Sequence, residues 1–340
     1  MMAGFALINS QRLAANQLPP PLFIGSSQLA PGKEGLVTIK TSTKNYDVMK
    51  TADHQDLDMD FKTESNEITT LVQTIASGLS CGIRYATIKS NSKSTYLGKI
   101  VKPSFSNIAT EYRYEKMEPL LVYQNHPNFK VAAGFEHIAY RETTNIIYST
   151  GDSSGAIISK MAHLRTNVSF TYGELYPNFS ISYLQSYQQK NAGSNFQDPR
   201  TFRALSISKV TENMFLSLKG RHRSWSLLRT SDKNLFELEA GIIIGSELKD
   251  SYSIFIKHQP PFAIDASNVT LANLGRNSVT LVTNKVIPNW NLNYFIQASY
   301  TRGTGSTNVT INGGSDQVLT YDQEIKIMSY QVKLGLTQTL

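Results

Sequence analysis

Residues 55–63 read QDLDMDFKT, with Leu57, Met59 and Phe61 at alternate positions and Asp56, Asp58, Asp60 and Lys62 between them. A period of two marks a β-strand with one apolar wall and one charged wall. The stretch alone leaves two arrangements open. In a soluble sheet the apolar wall faces a core, whereas in a membrane barrel it faces lipid and the polar wall lines a lumen.

The same period runs through the chain. In NIATEYRYEK, Ile108, Thr110, Tyr112 and Tyr114 share one wall, and Glu111, Arg113 and Glu115 the other. PNFKVAAGFEHI sets Phe129, Val131, Ala133 and Phe135 against Lys130 and Glu136. LFELEAGIIIG sets Phe236, Leu238, Ala240 and Ile242 against Glu237, Glu239 and Gly241. Turn-forming clusters separate such windows: NSKS at 91–94, NHPN at 125–128, GDSSG at 151–155, SDKN at 231–234 and NGGSD at 312–316. Longer loops are expected near 188–200 and 259–276.

Segments of about ten residues between turns, continued over this length, correspond to about nineteen strands of a transmembrane barrel. No Pro/Gly-rich linker or compositional shift divides the chain into separate sandwiches. The pattern therefore predicts an all-β protein, a transmembrane β-barrel over residues 35–340. Residues 1–34 differ: Phe5, Ile8 and Leu13 fit a short helix, which Pro19, Pro20 and Pro21 would break. The apolar wall decides between lipid and core. It recurs on nearly every strand and carries aromatics near strand ends, as a lipid-facing girdle does, and a soluble barrel of that many strands would have no core to absorb it.

Composition adds limits. Only 17% of residues are charged, while 17 Tyr and 15 Phe suit a pleated surface. The single cysteine, Cys81, excludes an intramolecular disulfide. No apolar run approaches the roughly 18 residues of a spanning helix. The N-terminus, with no Lys or Arg before its short apolar patch, is a poor secretory signal. The net charge of +7 attracts acidic partners in general and equally describes an ordinary basic surface.

Catalytic signals are weak. GDSSG places Ser153 in a G-x-S-x-G pattern, but Ala156 to Ser159 reads as a strand where that motif needs a helix. The six histidines lack metal-ligand spacing. RGTG at 302–305 is a turn, too short for a phosphate loop. No enzyme activity, metal or cofactor is expected. KGRHRSW at 219–225 is the strongest basic run and is expected as a loop at a membrane surface, with no nucleic-acid partner. Asp56, Asp58 and Asp60 place three carboxylates within about 14 Å on one wall, a row that concentrates cations and cationic segments.

The C-terminal QVKLGLTQTL resembles the last strand of eukaryotic mitochondrial porins, whose assembly signal has the form polar-x-Gly-x-x-hydrophobic-x-hydrophobic. Lys333, Gly335 and Leu340 match the polar, glycine and final positions, and Gln338 departs from the pattern. TIASGLSCGIRY is similar to a hairpin in which that family carries Ala-x-Gly-Leu, here Ala76, Gly78 and Leu79. The family comprises the voltage-dependent anion channel and the pore of the outer-membrane protein translocase. Length and acidic strands favour the translocase pore, of the divergent archaic, kinetoplastid-like type.

The resemblance implies a 19-stranded barrel in the mitochondrial outer membrane with a short N-terminal helix in its lumen. It implies a protein-conducting channel that passes precursors with cationic presequences along acidic patches, for which Asp56, Asp58, Asp60, Glu111, Glu115, Glu237 and Glu239 are the candidates. Small single-helix translocase subunits, receptors, the bilayer and further barrels would be its partners. A metabolite or anion porin of the same fold is the alternative. A soluble all-β binding protein, which alkaline carbonate would extract from membranes, is a third.

Overall fold

A computed structural model describes residues 20–24, 26–28, 36–51, 57–73, 78–96, 107–126, 128–147, 157–173, 178–190, 200–224, 234–247, 250–266, 269–287, 292–312 and 318–339. The strands are β1 (Leu36–Thr51), β2 (Leu57–Gln73), β3 (Leu79–Tyr96), β4 (Asn107–His126), β5 (Phe129–Ile147), β6 (Ile157–Tyr172), β7 (Phe179–Lys190) and β8 (Arg200–Thr211). They continue with β9 (Met214–Ser224), β10 (Asn234–Glu247), β11 (Asp250–Gln259), β12 (Ile264–Ala266), β13 (Val269–Ile287), β14 (Leu292–Asn312) and β15 (Val318–Thr339). All fifteen belong to one sheet.

Each strand pairs antiparallel with its successor from β1 to β11. β11 then pairs with β13, and β15 returns to β1. The sheet closes on itself, so the ladder has no free edge. β12 pairs only with the first residues of β13, continuing the edge that β11 leaves at Gln259. Fourteen strands thus make the wall. An even number brings the last strand back antiparallel to the first, as seen from Val37↔Thr339 to Thr51↔Ile325. Nineteen would have made that seam parallel.

The difference from nineteen comes from strand length. β4 runs 20 residues, β14 21 and β15 22, about twice the ten-residue unit of the sequence reading. NSKS lies inside β3, RGTG inside β14 and much of 259–276 inside β12 and β13, where turns or a loop were expected. NHPN does separate β4 from β5. GDSSG, with Ser153, and the helix expected on Phe5, Ile8 and Leu13 lie outside the described residues. Gly78 opens the β3 hairpin with φ 73°, a conformation that favours glycine. Its place in the Ala-x-Gly-Leu stretch therefore has a local backbone reason.

The two walls are chemically distinct. Phe135, Phe236, Ile256, Tyr252, Leu238 and Leu121 are all more than half exposed, and residues like them recur around the circumference. In water each would forgo about 1.5–3 kcal/mol of burial, so this wall is that of a lipid-facing band. Tyr123, Phe129, Tyr172 and Phe179 cluster on its short-turn end, as an aromatic girdle does. Serines, threonines and charged side chains fill the inner wall. Ser169, Thr171, Ser180 and Ser182 are nearly inaccessible, with Thr171 Oγ1 3.0 Å from Ser180 Oγ.

The lumen is occupied by the chain's own N-terminal part. Two 3-10 turns, Pro20–Leu22 and Ser26–Gln28, lie against the inner wall. Leu22 and Ile24 pack among Leu205, Ile207, Phe215, Ile243, Phe255 and Val282. Gln28 staples the segment, donating from Nε2 to the Leu22 carbonyl at 2.8 Å and accepting from the Ile24 amide at 2.6 Å. Ser27 fixes it to β6 through Ser169 and Thr171, both at 2.8 Å.

Candidate functional site: the charged lumen

Two groups of ionised side chains line the lumen, and they differ in balance. On the β2–β6 side, Arg84 Nη1 lies 2.7 Å from the fully buried Glu118 and its Nε 3.3 Å from Glu67. Asn167 donates to Glu118 at 3.1 Å. Lys116 and Arg165 bracket Glu136 at 2.7 and 2.6 Å. Three cations here meet three carboxylates, while the buried Lys130 stands apart, six residues from Glu136 along β5. The group is a neutral girder, and Phe23 lies beneath the Arg84 guanidinium at 5.7 Å.

On the β8–β11 side the balance fails. Register sets Arg203 beside Arg221 and Arg221 beside Glu237, and it sets Lys219 beside Glu239 and Glu239 beside Lys257. Glu237 receives Arg221, Lys257 at 3.2 Å and Arg223 at 3.7 Å, while Glu239 receives Lys219 at 2.5 Å. Five cations (Arg203, Lys219, Arg221, Arg223 and Lys257) thus face two carboxylates. Arg203 Nη1 reaches only the Ile24 carbonyl, at 3.5 Å, and its buried Nε has no partner among the described residues. The Nε of Arg276, on β13, is likewise unpaired. Lys219 also donates to the Pro21 carbonyl at 2.7 Å.

Two cavities open where these cations meet the N-terminal segment. One, of about 200 Å³, lies between Phe23, Ile24, Arg203, Arg221, Glu237 and Lys257. The other, of about 250 Å³, lies between Pro21, Lys219, Glu239, Gln297 and Lys333. Both have the size and polarity to hold water or a small anion. Leu22 and Ile24 are 1% and 2% exposed, so their apolar contacts are already filled.

The expected acidic wall takes a different form. Glu237 and Glu239 do face the lumen, each neutralised by cations. Glu111 and Glu115 lie on the outer wall, in phase with Arg113, Met117 and Leu121. Asp58 and Asp60 belong to β2, opposite Thr95 and Lys93 of β3, with side chains outside the described residues, as is Asp56 entirely. The basic run 219–225, expected as a surface loop, is strand β9 through Ser224, with Lys219, Arg221 and Arg223 facing the lumen. Its alternation of basic residues with Gly220 and His222 is the signal that sequence reasoning passed over.

In the C-terminal strand, Lys333 faces the lumen with its ammonium 6.0 Å from the Phe295 ring. A Cβ on Gly335 would collide with that same ring. The glycine thus has a packing reason. Leu340 lies outside the described residues.

No protein-family model matches the sequence, and no curated protein matches it. The fold does have counterparts among solved structures. A FadL homologue of Pseudomonas aeruginosa aligns over 97% of this chain and 96% of its own, at 10% identity and a TM-score of 0.62. The toluene transporter TodX of P. putida aligns over 97% of each chain at 9% identity and a TM-score of 0.53, and a TodX mutant described as a monoaromatic hydrocarbon channel over 94% of each at 0.56. This is the fold of outer-membrane β-barrels. At such identities the likeness extends to the fold and no further.

Proposed function

We propose that this chain is an outer-membrane channel that favours anionic solutes and is obstructed by its own residues 20–28. The observation that carries the reading is the surplus of cations in the lumen of a closed barrel with a lipid-facing outer wall. A low-dielectric wall around such a surplus raises the local concentration of anions. The structural neighbours include a toluene transporter and a monoaromatic hydrocarbon channel, which supports a channel role in general. Glu237 and Glu239, held in ion pairs, offer a cationic presequence little, so the anion-porin alternative fits better than protein conduction.

Reversal potentials in planar bilayers under a salt gradient test the reading. Wild-type protein is expected to pass chloride in preference to potassium, and R203E/R223E to lower or invert that preference. Cation preference in the wild type would overturn it.

The mitochondrial location is a separate part of the proposal, and it rests on the resemblance of the C-terminal strand. Isolated mitochondria are expected to insert the chain in a form that resists alkaline carbonate. Insertion only by bacterial outer-membrane machinery would reject the location while leaving the channel intact.

A further inference from the structure

Outside the lumen, basic residues line up across the outer wall of β3 to β6. Register aligns Lys89 of β3 with Arg113 of β4, Arg113 with Arg141 of β5, and Arg141 with Lys160 of β6. Four basic positions therefore stand side by side on consecutive strands, spanning about 14 Å at the usual inter-strand spacing. Like charges directly opposite one another destabilise a sheet unless something of opposite charge joins them. Glu111 lies 2.6 Å from Arg113 Nε and 3.8 Å from Lys89 Nζ, Glu64 of β2 stands opposite Lys89, and Glu115 follows Arg113 on the same face, so the carboxylates gather at the β2–β4 end of the row. Arg141, on the next strand, faces the Glu111 carboxylate only at longer range. The side chains of Arg113 and Lys89 remain 64% and 51% exposed.

The height of this row identifies what it meets. Ten residues separate Arg113 from Tyr123 in the girdle at the short-turn end. That is about 34 Å along the strand and about 26 Å along the axis at a tilt of ~40°, close to the ~25 Å of a barrel's apolar band. Four residues nearer the band in register come Tyr85, Met117, His137 and Leu164, all exposed, and beyond them Ile83, Leu121 and Phe135. Lys89, Arg113 and Arg141 thus stand at headgroup level directly above a surface that takes acyl chains. A free anion would use only the first of these features, whereas a lipid uses both.

We propose that the Lys89–Arg113–Arg141–Lys160 row binds an anionic lipid that carries two phosphate groups. The width of the row, about 14 Å across four strands, exceeds what a single phosphodiester spans. The acyl chains lie along the outer face of β3 to β6, and the phosphates bridge strands that would otherwise repel.

Native mass spectrometry of the full-length protein in detergent, with cardiolipin, phosphatidylglycerol or phosphatidylcholine added, tests this. Wild-type protein should retain cardiolipin well above the other two, and K89A/R113A/R141A should weaken that retention on the order of a hundredfold. R113K/R141K should keep most of it. Heat-dependent gel migration verifies that each variant is a folded barrel. Equal retention of phosphatidylcholine by the wild type, or unchanged retention of cardiolipin by a folded triple variant, would overturn the proposal. Displacement of the lipid by millimolar inorganic phosphate would also overturn it, by showing a site for a free anion.

Discussion

Replacing Leu22 and Ile24 with alanine should raise the conductance of this channel severalfold and lengthen its open times. Both side chains are almost wholly buried among Leu205, Ile207, Phe215 and their neighbours. Truncating a buried leucine or isoleucine to alanine costs about 2–5 kcal/mol. Two such losses move the equilibrium between an inserted and a released segment by about a thousandfold or more. What remains is Phe23 on the cluster around Leu120 and on Arg84, together with polar contacts exchangeable with water: Ser27 on β6 and the carbonyls of Pro21 and Ile24 on Lys219 and Arg203. Single-channel recording of L22A/I24A beside the wild type is the measurement. Indistinguishable conductance would show that residues 20–28 do not obstruct the path.

The second large effect concerns stability. Glu118→Ala should lower the melting temperature of the barrel markedly, by removing a fully buried carboxylate that serves Arg84 and Asn167. Breaking one partner of a buried pair costs about 3–5 kcal/mol, because the other charge stays behind without water. Glu67, 3.3 Å from Arg84, places the expected loss at the lower end of that range. A neutral, volume-filling pair such as R84M/E118L should recover most of it. Thermal shift of the gel-migration transition reads both. If the single and double variants melt alike, the pair is not what holds β3 to β4.

Much of this architecture was legible in the alternation. Phe129, Ala133 and Phe135 share the exposed wall of β5, as the spacing requires, and Lys130 and Glu136 the buried one. The reading failed on β4. Glu111, Arg113 and Glu115 were placed with the lumen because they are charged, but they continue the outer face of Met117 and Leu121 above the apolar band. Beyond the hydrocarbon the outer wall meets water, so its polarity changes while its phase does not. The strand count failed for the same reason, since strands that outrun the membrane consume residues that a band-length unit assigns to further strands. The lumenal ion pairs had no sequence signature. Arg84, Glu118 and Glu136 come from three different strands, and only register brings them together.

The seam between β1 and β15 also governs how such a molecule can be made. It joins the first described strand to the last, so its fifteen residue pairs can form only after the whole wall has been synthesised. Until then β1 offers a long unpaired edge, the kind of surface that recruits strands from other chains. Entropy weighs against so distant a contact, and no local hydrogen bond can substitute for it. A ribosome stalled before residue 318 would therefore release an open sheet with two sticky edges and an oily face, not a narrower pore. The exposure of the β1 edge lasts as long as the synthesis of the remaining wall.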